Sequence, residues 1–262
     1  MDVYFKDGQV MTKNLTPKQS VYGEELIESD AEYRIWNPYR SKLAAGLLNG
    51  LSNLKLSETS KVLYLGASTG TTVSHISDIV CDGRIYAVEF SPATAKKLVH
   101  LSNNRPNIAP ILGDATKPLK YLNYTEKVDL VYCDVAQPTQ TELFIKNMNL
   151  SSKNDGMGLL MIKARSIDVV LKPKKVFKMQ EKKLKEKGFK IIEKVKLEPY
   201  EKDHIALLTQ KTFWYLKKIH CTFFYFPPHF EDIALNQNGG KFPFQEWNIY
   251  HYNNHFKHNF NK

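Results

Sequence analysis

The stretch Lys61-Val-Leu-Tyr-Leu-Gly-Ala-Ser-Thr-Gly-Thr-Thr72, followed by Ile85-Tyr-Ala-Val-Glu-Phe90, decides how this chain is read. Each segment begins as a short apolar run of the kind that forms a buried strand. The first breaks into a loop of small residues, which lets backbone approach a ligand closely. A helix after that loop offers its unpaired N–H groups to it. The second run ends in one acid, Glu89, which can accept hydrogen bonds from both hydroxyls of a ribose. Together these features describe a nucleoside pocket.

The pocket is not of the dinucleotide type. Gly66 to Gly70 reads G-x-x-x-G rather than G-x-G-x-x-G, and the loop carries no basic residue. A diphosphate would lack its usual partner there. A nucleoside without phosphates, such as S-adenosylmethionine, fits better than a nicotinamide or flavin nucleotide on a degenerate loop.

Outward from this core the chain alternates. Strands are expected at Val62–Leu65, Ile85–Val88, Ile108–Leu112, Val128–Cys133, Gly158–Ala164, Lys190–Lys196 and Ile205–Gln210. Helices are expected at Thr72–Val80, Ala93–Asn103, Gln140–Asn147 and Lys174–Lys187. Repeated β-α units predict a mostly parallel seven-stranded sheet with helices on both faces, an α/β fold. Ligands then bind at the carboxyl ends of the strands. Before the sheet, Ser41–Leu54 reads as a helix entered at Asn37-Pro38. Residues 1 to 35 read as a small N-terminal β-hairpin domain, built around Val3, Phe5, Val10 and Met11.

Three acids fall at three strand ends: Glu89, Asp114 in Gly113-Asp-Ala115, and Asp134 in Tyr132-Cys-Asp-Val-Ala-Gln137. Each alone could be a turn or cap residue. In succession along one sheet they outline a donor site, with Gly66, Ala67, Thr71, Thr72, Glu89, Phe90, Asp114, Ala115, Asp134 and Gln137 as its candidate cofactor-binding residues. Two lysines, Lys42 at the head of an apolar helix and Lys163 at the end of Leu159-Leu-Met-Ile-Lys163, stand where snorkelling is the ordinary explanation.

Composition sets outer bounds. The 262 residues carry 37 Lys and Arg against 27 Asp and Glu, a formal charge of +10. Lysines crowd Lys172–Lys187, which suits either a solvated helix face or phosphate backbones. The three cysteines are widely spaced, which fits a reducing compartment rather than a disulfide framework. No apolar run reaches the roughly 18 residues that cross a bilayer, and Met1–Gly8 lacks the layout of a signal peptide.

Four motifs carry a resemblance: Trp36-Asn-Pro-Tyr-Arg-Ser-Lys-Leu-Ala-Ala45, Tyr64-Leu-Gly-Ala-Ser-Thr-Gly-Thr-Thr72, Tyr132-Cys-Asp-Val-Ala-Gln-Pro138 and Tyr200-Glu-Lys-Asp-His204. In this order they resemble fibrillarin in its short archaeal form, from about Asp2 to Gln210. The resemblance implies a Rossmann-like S-adenosylmethionine-dependent methyltransferase fold. It also implies 2′-O-methylation of ribose in rRNA, and of tRNA in some members, as part of pre-rRNA and tRNA processing. The reaction is guided by box C/D RNA within a ribonucleoprotein. Implied partners are the guide RNA, the target rRNA or tRNA, a Nop-domain scaffold protein and a kink-turn-binding ribosomal-type protein. An archaeal member would be cytoplasmic, a eukaryotic one nucleolar.

The family's catalytic quartet maps onto Lys42, Asp134, Lys163 and His204, with Glu198 and Asp203 as rivals for the fourth place. Lys163 would either accept the proton of the 2′-OH or, as an ammonium, stabilise the developing alkoxide. Asp134 would orient the lysines, and no metal is expected. Two other classes stay open: a non-catalytic structural subunit of the box C/D particle, and a small-molecule O-methyltransferase. The methyltransferase domain is expected to span residues 36–211. Residues 212–262 depart from the family as an atypical aromatic-rich extension, read as dispensable or disordered. In it, His251, His255 and His258 share helical spacing but lack Cys or acid partners.

Overall fold

The computed structural model describes residues 1–212; the extension, with its histidines, lies outside the described residues beyond Thr212. Seven strands and four helices of the larger sheet region follow the alternation expected. Strand β5 (Lys61–Leu65) leads through α2 (Thr71–Ile79) to β6 (Arg84–Glu89), then through α3 (Pro92–Ser102) to β7 (Ile108–Leu112). Two 3₁₀ turns lead to β8 (Val128–Cys133), α4 (Gln140–Ser151) and β9 (Ser152–Lys163). A short α5 (Ala164–Ile167) and the basic α6 (Pro173–Glu186) precede β10 (Phe189–Lys196) and β11 (His204–Lys211).

The seven strands lie in the order β10-β11-β9-β8-β5-β6-β7. Strands β5 to β9 pair in parallel, and β11 runs antiparallel between β9 and β10. Side chains alternate between two cores, one on each face. Val62, Tyr64, Leu130 and Tyr132 point into the core with α1 (Lys42–Leu48), α2 and α3, whereas Leu63, Leu65, Val131 and Cys133 join the core with α4 and α6. That two-sided burial is why these strands read as continuous apolar runs.

The helix expected over Ser41–Leu54 is shorter. Helix α1 covers Lys42–Leu48, because the chain turns at Gly50 with φ +97 and Leu51 N–H bonds back to the Gly46 carbonyl at 2.9 Å. Leu51 and Leu54 are buried nonetheless, packed from an irregular segment. Strand β9 starts at Ser152, six residues before the expected start at Gly158, directly from the end of α4.

The N-terminal sheet has four strands, ordered β1-β2-β4-β3: β1 (Tyr4–Lys6), β2 (Gln9–Lys13), β3 (Leu26–Glu28) and β4 (Glu32–Ile35). It is joined to α2 by buried polar contacts as well as by packing. The Asp78 carboxylate accepts from Thr12 Oγ1 at 2.7 Å, Arg34 at 2.7 Å and Arg105 at 2.6 Å. Arg34 also reaches Glu24 at 2.6 Å and Ser74 at 2.9 Å. His75 takes contacts from Thr12 and Tyr22, each at 2.8 Å, and stacks on Trp36 with ring centroids 4.7 Å apart. Among the described residues no helix is long and apolar enough to cross a membrane.

Candidate active site

The strand order sets out the site. Along the carboxyl edge of the sheet, strands spaced about 4.8 Å apart present His204 (β11), Lys163 (β9), Asp134 (after β8), Gly66 (after β5), Glu89 (β6) and Asp114 (after β7) in sequence. The proposed reacting groups occupy one half of this row and the donor residues the other. Asp134 stands at the join.

The donor half rests on close backbone approach. Gly66 has φ +84, and a Cβ there would lie 2.6 Å from the Asp134 carbonyl oxygen. Gly66 and Ala67 N–H both donate to the Val88 carbonyl at 3.0 Å, which closes the loop onto β6. Gly70, at φ +94, starts α2 with no side-chain cap. The Glu89 carboxylate accepts the Ser68 N–H at 2.7 Å on one oxygen and the Ser91 N–H at 2.8 Å on the other. Each oxygen keeps a further lone pair, enough for the two hydroxyls of a ribose. Phe90 beside it is 74% exposed, a free apolar ring of the kind on which a base stacks.

Asp114 is turned partly into its own loop. It accepts from Thr116 N–H at 2.9 Å and Thr116 Oγ1 at 2.7 Å, with Lys117 at 3.2 Å. The Thr116 hydroxyl and N–H, with Lys117, hold its carboxyl below the usual range. Ala115 is buried next to it. Gln137 donates its side-chain amide to Thr139 Oγ1 at 3.3 Å. A nucleoside with a sulfonium arm fits these donors and acceptors: an anionic acceptor for a ribose, an exposed ring, backbone cleared by glycine, and a Gly66–Gly70 loop without a basic residue.

The reacting half is held by contacts between remote segments. Lys42 Nζ lies 2.8 and 3.0 Å from the two Asp134 oxygens, with both side chains about one-fifth exposed (22% and 18%). The Asp134 N–H is fixed to the Leu65 carbonyl at 2.9 Å. Lys42 is the first residue of α1, whose cap Ser41 bonds to Thr72 Oγ1 at 2.9 Å, so the donor loop and the lysine segment are tied together. Lys163 is exposed and forms no ion pair among the described residues. The antiparallel pairing of β9 and β11 sets it directly opposite His204.

His204 is buried, and its Nδ1 lies 2.7 Å from the Lys202 carbonyl. A carbonyl only accepts, so Nδ1 carries the proton and Nε2 is left as the acceptor. Burial holds the imidazole below its usual pKa; the Lys202 carbonyl opposes this, the Lys42 charge reinforces it, and Glu201 and Asp134 oppose it. Of the two rivals, Asp203 pairs with Arg165 at 3.2 Å, and Glu198 is exposed and accepts the Asp203 N–H at 3.4 Å.

Several supporting residues were not visible as such in the sequence. Ser68 and Ser91 hold Glu89 through backbone N–H groups, a role no side-chain pattern reveals. Ser91-Pro92 did carry a local signal, that of a helix cap followed by proline at the first turn. The Ser41–Thr72 contact had none.

The Fibrillarin family model matches residues 2–213. The chain is 54% identical over 210 residues to the fibrillarin-like rRNA/tRNA 2′-O-methyltransferase of Methanothermobacter thermautotrophicus, covering 80% of this chain and 94% of that protein. It is similar to the crystal structure of Aeropyrum pernix fibrillarin with natively bound S-adenosyl-L-methionine, at a TM-score of 0.72 and 43% identity, covering 80% of this chain and 98% of that one. It is also similar to a fibrillarin in complex with Nop5p, at a TM-score of 0.75 and 45% identity, covering 80% and 97%.

Proposed function

The chain belongs to the fibrillarin family, and from that premise we propose that it methylates the 2′-OH of target riboses in rRNA and tRNA, at positions chosen by a box C/D guide RNA. It works on a Nop-domain scaffold with a kink-turn-binding protein, in the cytoplasm of an archaeal cell. S-adenosylmethionine supplies an electrophilic methyl group on a sulfonium. Gly66, Ala67, Thr71, Thr72, Glu89, Phe90, Asp114, Ala115 and Gln137 would hold it.

The observation that carries the reading is the Lys42–Asp134 contact at the join between the two halves of the row. A ribose hydroxyl is a weak acid, so it needs help to lose its proton as it attacks. Asp134 aims Lys42, and that ammonium lowers the energy of the developing alkoxide. Lys163 adds a second positive group from the neighbouring strand. His204 Nε2 is the acceptor through which the proton leaves. Holding the hydroxyl in line with the methyl carbon supplies much of the remaining acceleration.

The test is reconstitution with scaffold protein, kink-turn-binding protein, guide RNA, target RNA and labelled methyl donor. Label at one ribose 2′ position, moving when the guide is changed, is the expected result. Label on a base overturns the reading. So does a fully assembled particle without label, which would make the chain a structural subunit.

A further inference from the structure

Helix α3 forms one wall of a cavity of about 940 Å³ that adjoins the donor loop. The opposite wall comes from the Thr16–Tyr22 loop of the N-terminal region, and Arg40 and the donor-loop residues Thr69 and Thr71 close one end. Its lining includes Arg40, Lys96, Lys97 and His100 but no aspartate or glutamate. Lys96, Lys97 and His100 are exposed, and neither these lysines nor Arg40 forms an ion pair among the described residues. Lys96 and His100 are four residues apart on α3 and so share one face of it. Arg40 is held in place by the Tyr22 carbonyl at 3.1 Å and by the Tyr22 ring, 4.9 Å from the guanidinium carbon.

A large open groove with positive charge and no carboxylate favours a polyanion. Its position narrows the choice. Arg40 lies two residues before Lys42, and Thr71 adjoins Thr72, which bonds to Ser41. An RNA strand that delivers a ribose to Lys42 would therefore pass close to Arg40, at one end of this groove. We infer that the groove between α3 and the Thr16–Tyr22 loop binds the phosphate backbone flanking the target nucleotide, with Lys96, Lys97 and Arg40 as its phosphate contacts. This rests on the RNA-methylating reading given above.

The groove differs from the basic helix α6, which looks the stronger candidate from composition. Helix α6 packs into the core on the other face of the sheet. Part of its charge is already matched, by Lys183 with Glu142 at 2.5 Å and Lys182 with Glu186 at 3.7 Å, while Glu181 takes Lys194 at 2.9 Å.

The test uses the full chain and a short RNA duplex of guide and target sequence, with affinity followed across a salt series. The double variant Lys96→Ala with Lys97→Ala should bind about tenfold more weakly near 0.1 M salt. Its slope of log affinity against log salt should be shallower by about 1.8, as expected for two lost phosphate contacts on a duplex. The double variant Lys96→Arg with Lys97→Arg should retain both, and S-adenosylmethionine affinity should be unchanged in either. A matched pair on α6, Lys178→Ala with Lys182→Ala, should have the smaller effect. Unchanged affinity and slope in the α3 alanine variant overturn the inference. So does loss of scaffold-protein binding in that variant with RNA binding intact, which would make the groove a protein-docking surface. The two readings fail separately. Weakened RNA binding by the α3 variant stands even if the wild-type particle transfers no methyl, and wild-type transfer stands even if the α3 variant binds normally.

Discussion

Lys42 and Asp134, 92 residues apart, meet with the ammonium within 3.0 Å of both carboxylate oxygens at the carboxyl edge of the sheet. One comes from the head of a helix and the other from the end of the central strand β8. Their partly exposed position makes the pair a modest contributor to stability. At a place where charge develops it can contribute far more to rate.

Asp134→Ala, Lys42→Ala and Lys163→Ala are each expected to lower single-turnover methyl transfer by at least about a hundredfold. Particle assembly and the melting temperature should change little. Gel-shift analysis of the reconstituted particle, beside quenched-flow transfer, separates the two effects. A variant with wild-type single-turnover rate would remove that residue from the mechanism.

Glu89→Ala is expected to weaken S-adenosylmethionine binding by about 1.5–3 kcal/mol, the usual range for hydrogen bonds to a charged group. The same change releases the Ser68 and Ser91 N–H groups. Calorimetric titration of the donor gives the answer directly, and an unaltered Kd would show that the ribose is held elsewhere.

Gly66→Ala places a Cβ at 2.6 Å from the Asp134 carbonyl oxygen in backbone with φ +84. The expected result is about 1–3 kcal/mol of lost stability, together with lost donor binding and transfer. Thermal melting and donor titration should change together. A variant that melts and binds as the wild type does would mean the loop relaxes freely.

His75 is buried, and burial first, then the Arg34 and Arg105 charges, hold its pKa well below the ordinary imidazole value. The unfolded chain therefore binds a proton below about pH 6.5 that the folded chain refuses. Stability from this group is complete above about pH 6.5 and declines as pH falls, by up to about 1.4 kcal/mol per pH unit. Urea unfolding between pH 7 and pH 5 should show the slope, and His75→Gln should reduce it. In the same network, Asp78→Ala leaves two buried guanidinium groups without their shared carboxylate and is expected to cost about 3–5 kcal/mol.

Ending the chain after Thr212 is expected to leave donor binding and guided methylation nearly intact. Strand β11 has completed its pairing with β9 and β10 by Lys211, and Thr212 N–H closes on the Gly188 carbonyl at 2.9 Å. A melting temperature lowered by many degrees in the truncated chain would show that residues 213–262 belong to the fold.

Much of this protein was decided within short windows of its sequence. The apolar runs at Val62–Leu65, Ile85–Val88 and Val128–Cys133 specify buried strands because side chains on both faces must leave water. Gly66 and Gly70 specify a loop where backbone can come close, because other residues resist positive φ. With strands parallel, the residues that follow them, Glu89, Asp114 and Asp134, must gather at one edge. Even the helix error was local: Leu51 and Leu54 keep helical spacing while Gly50 ends the helix, and periodicity records burial rather than backbone path. The tertiary structure alone decided which residues meet. Strand order set Asp134 between the reacting and donor halves, and antiparallel register put His204 opposite Lys163. Folding of the N-terminal sheet against α2 brought Arg34 to Asp78, where Arg105 arrives from the turn after α3, and the segment before α1 carries Arg40 to the end of the α3 groove. Such contacts depend on where whole elements dock. A side chain's own neighbours in sequence carry no record of that, so Lys42 and Asp134 could be named together only through the family resemblance, and seen in contact only in the fold.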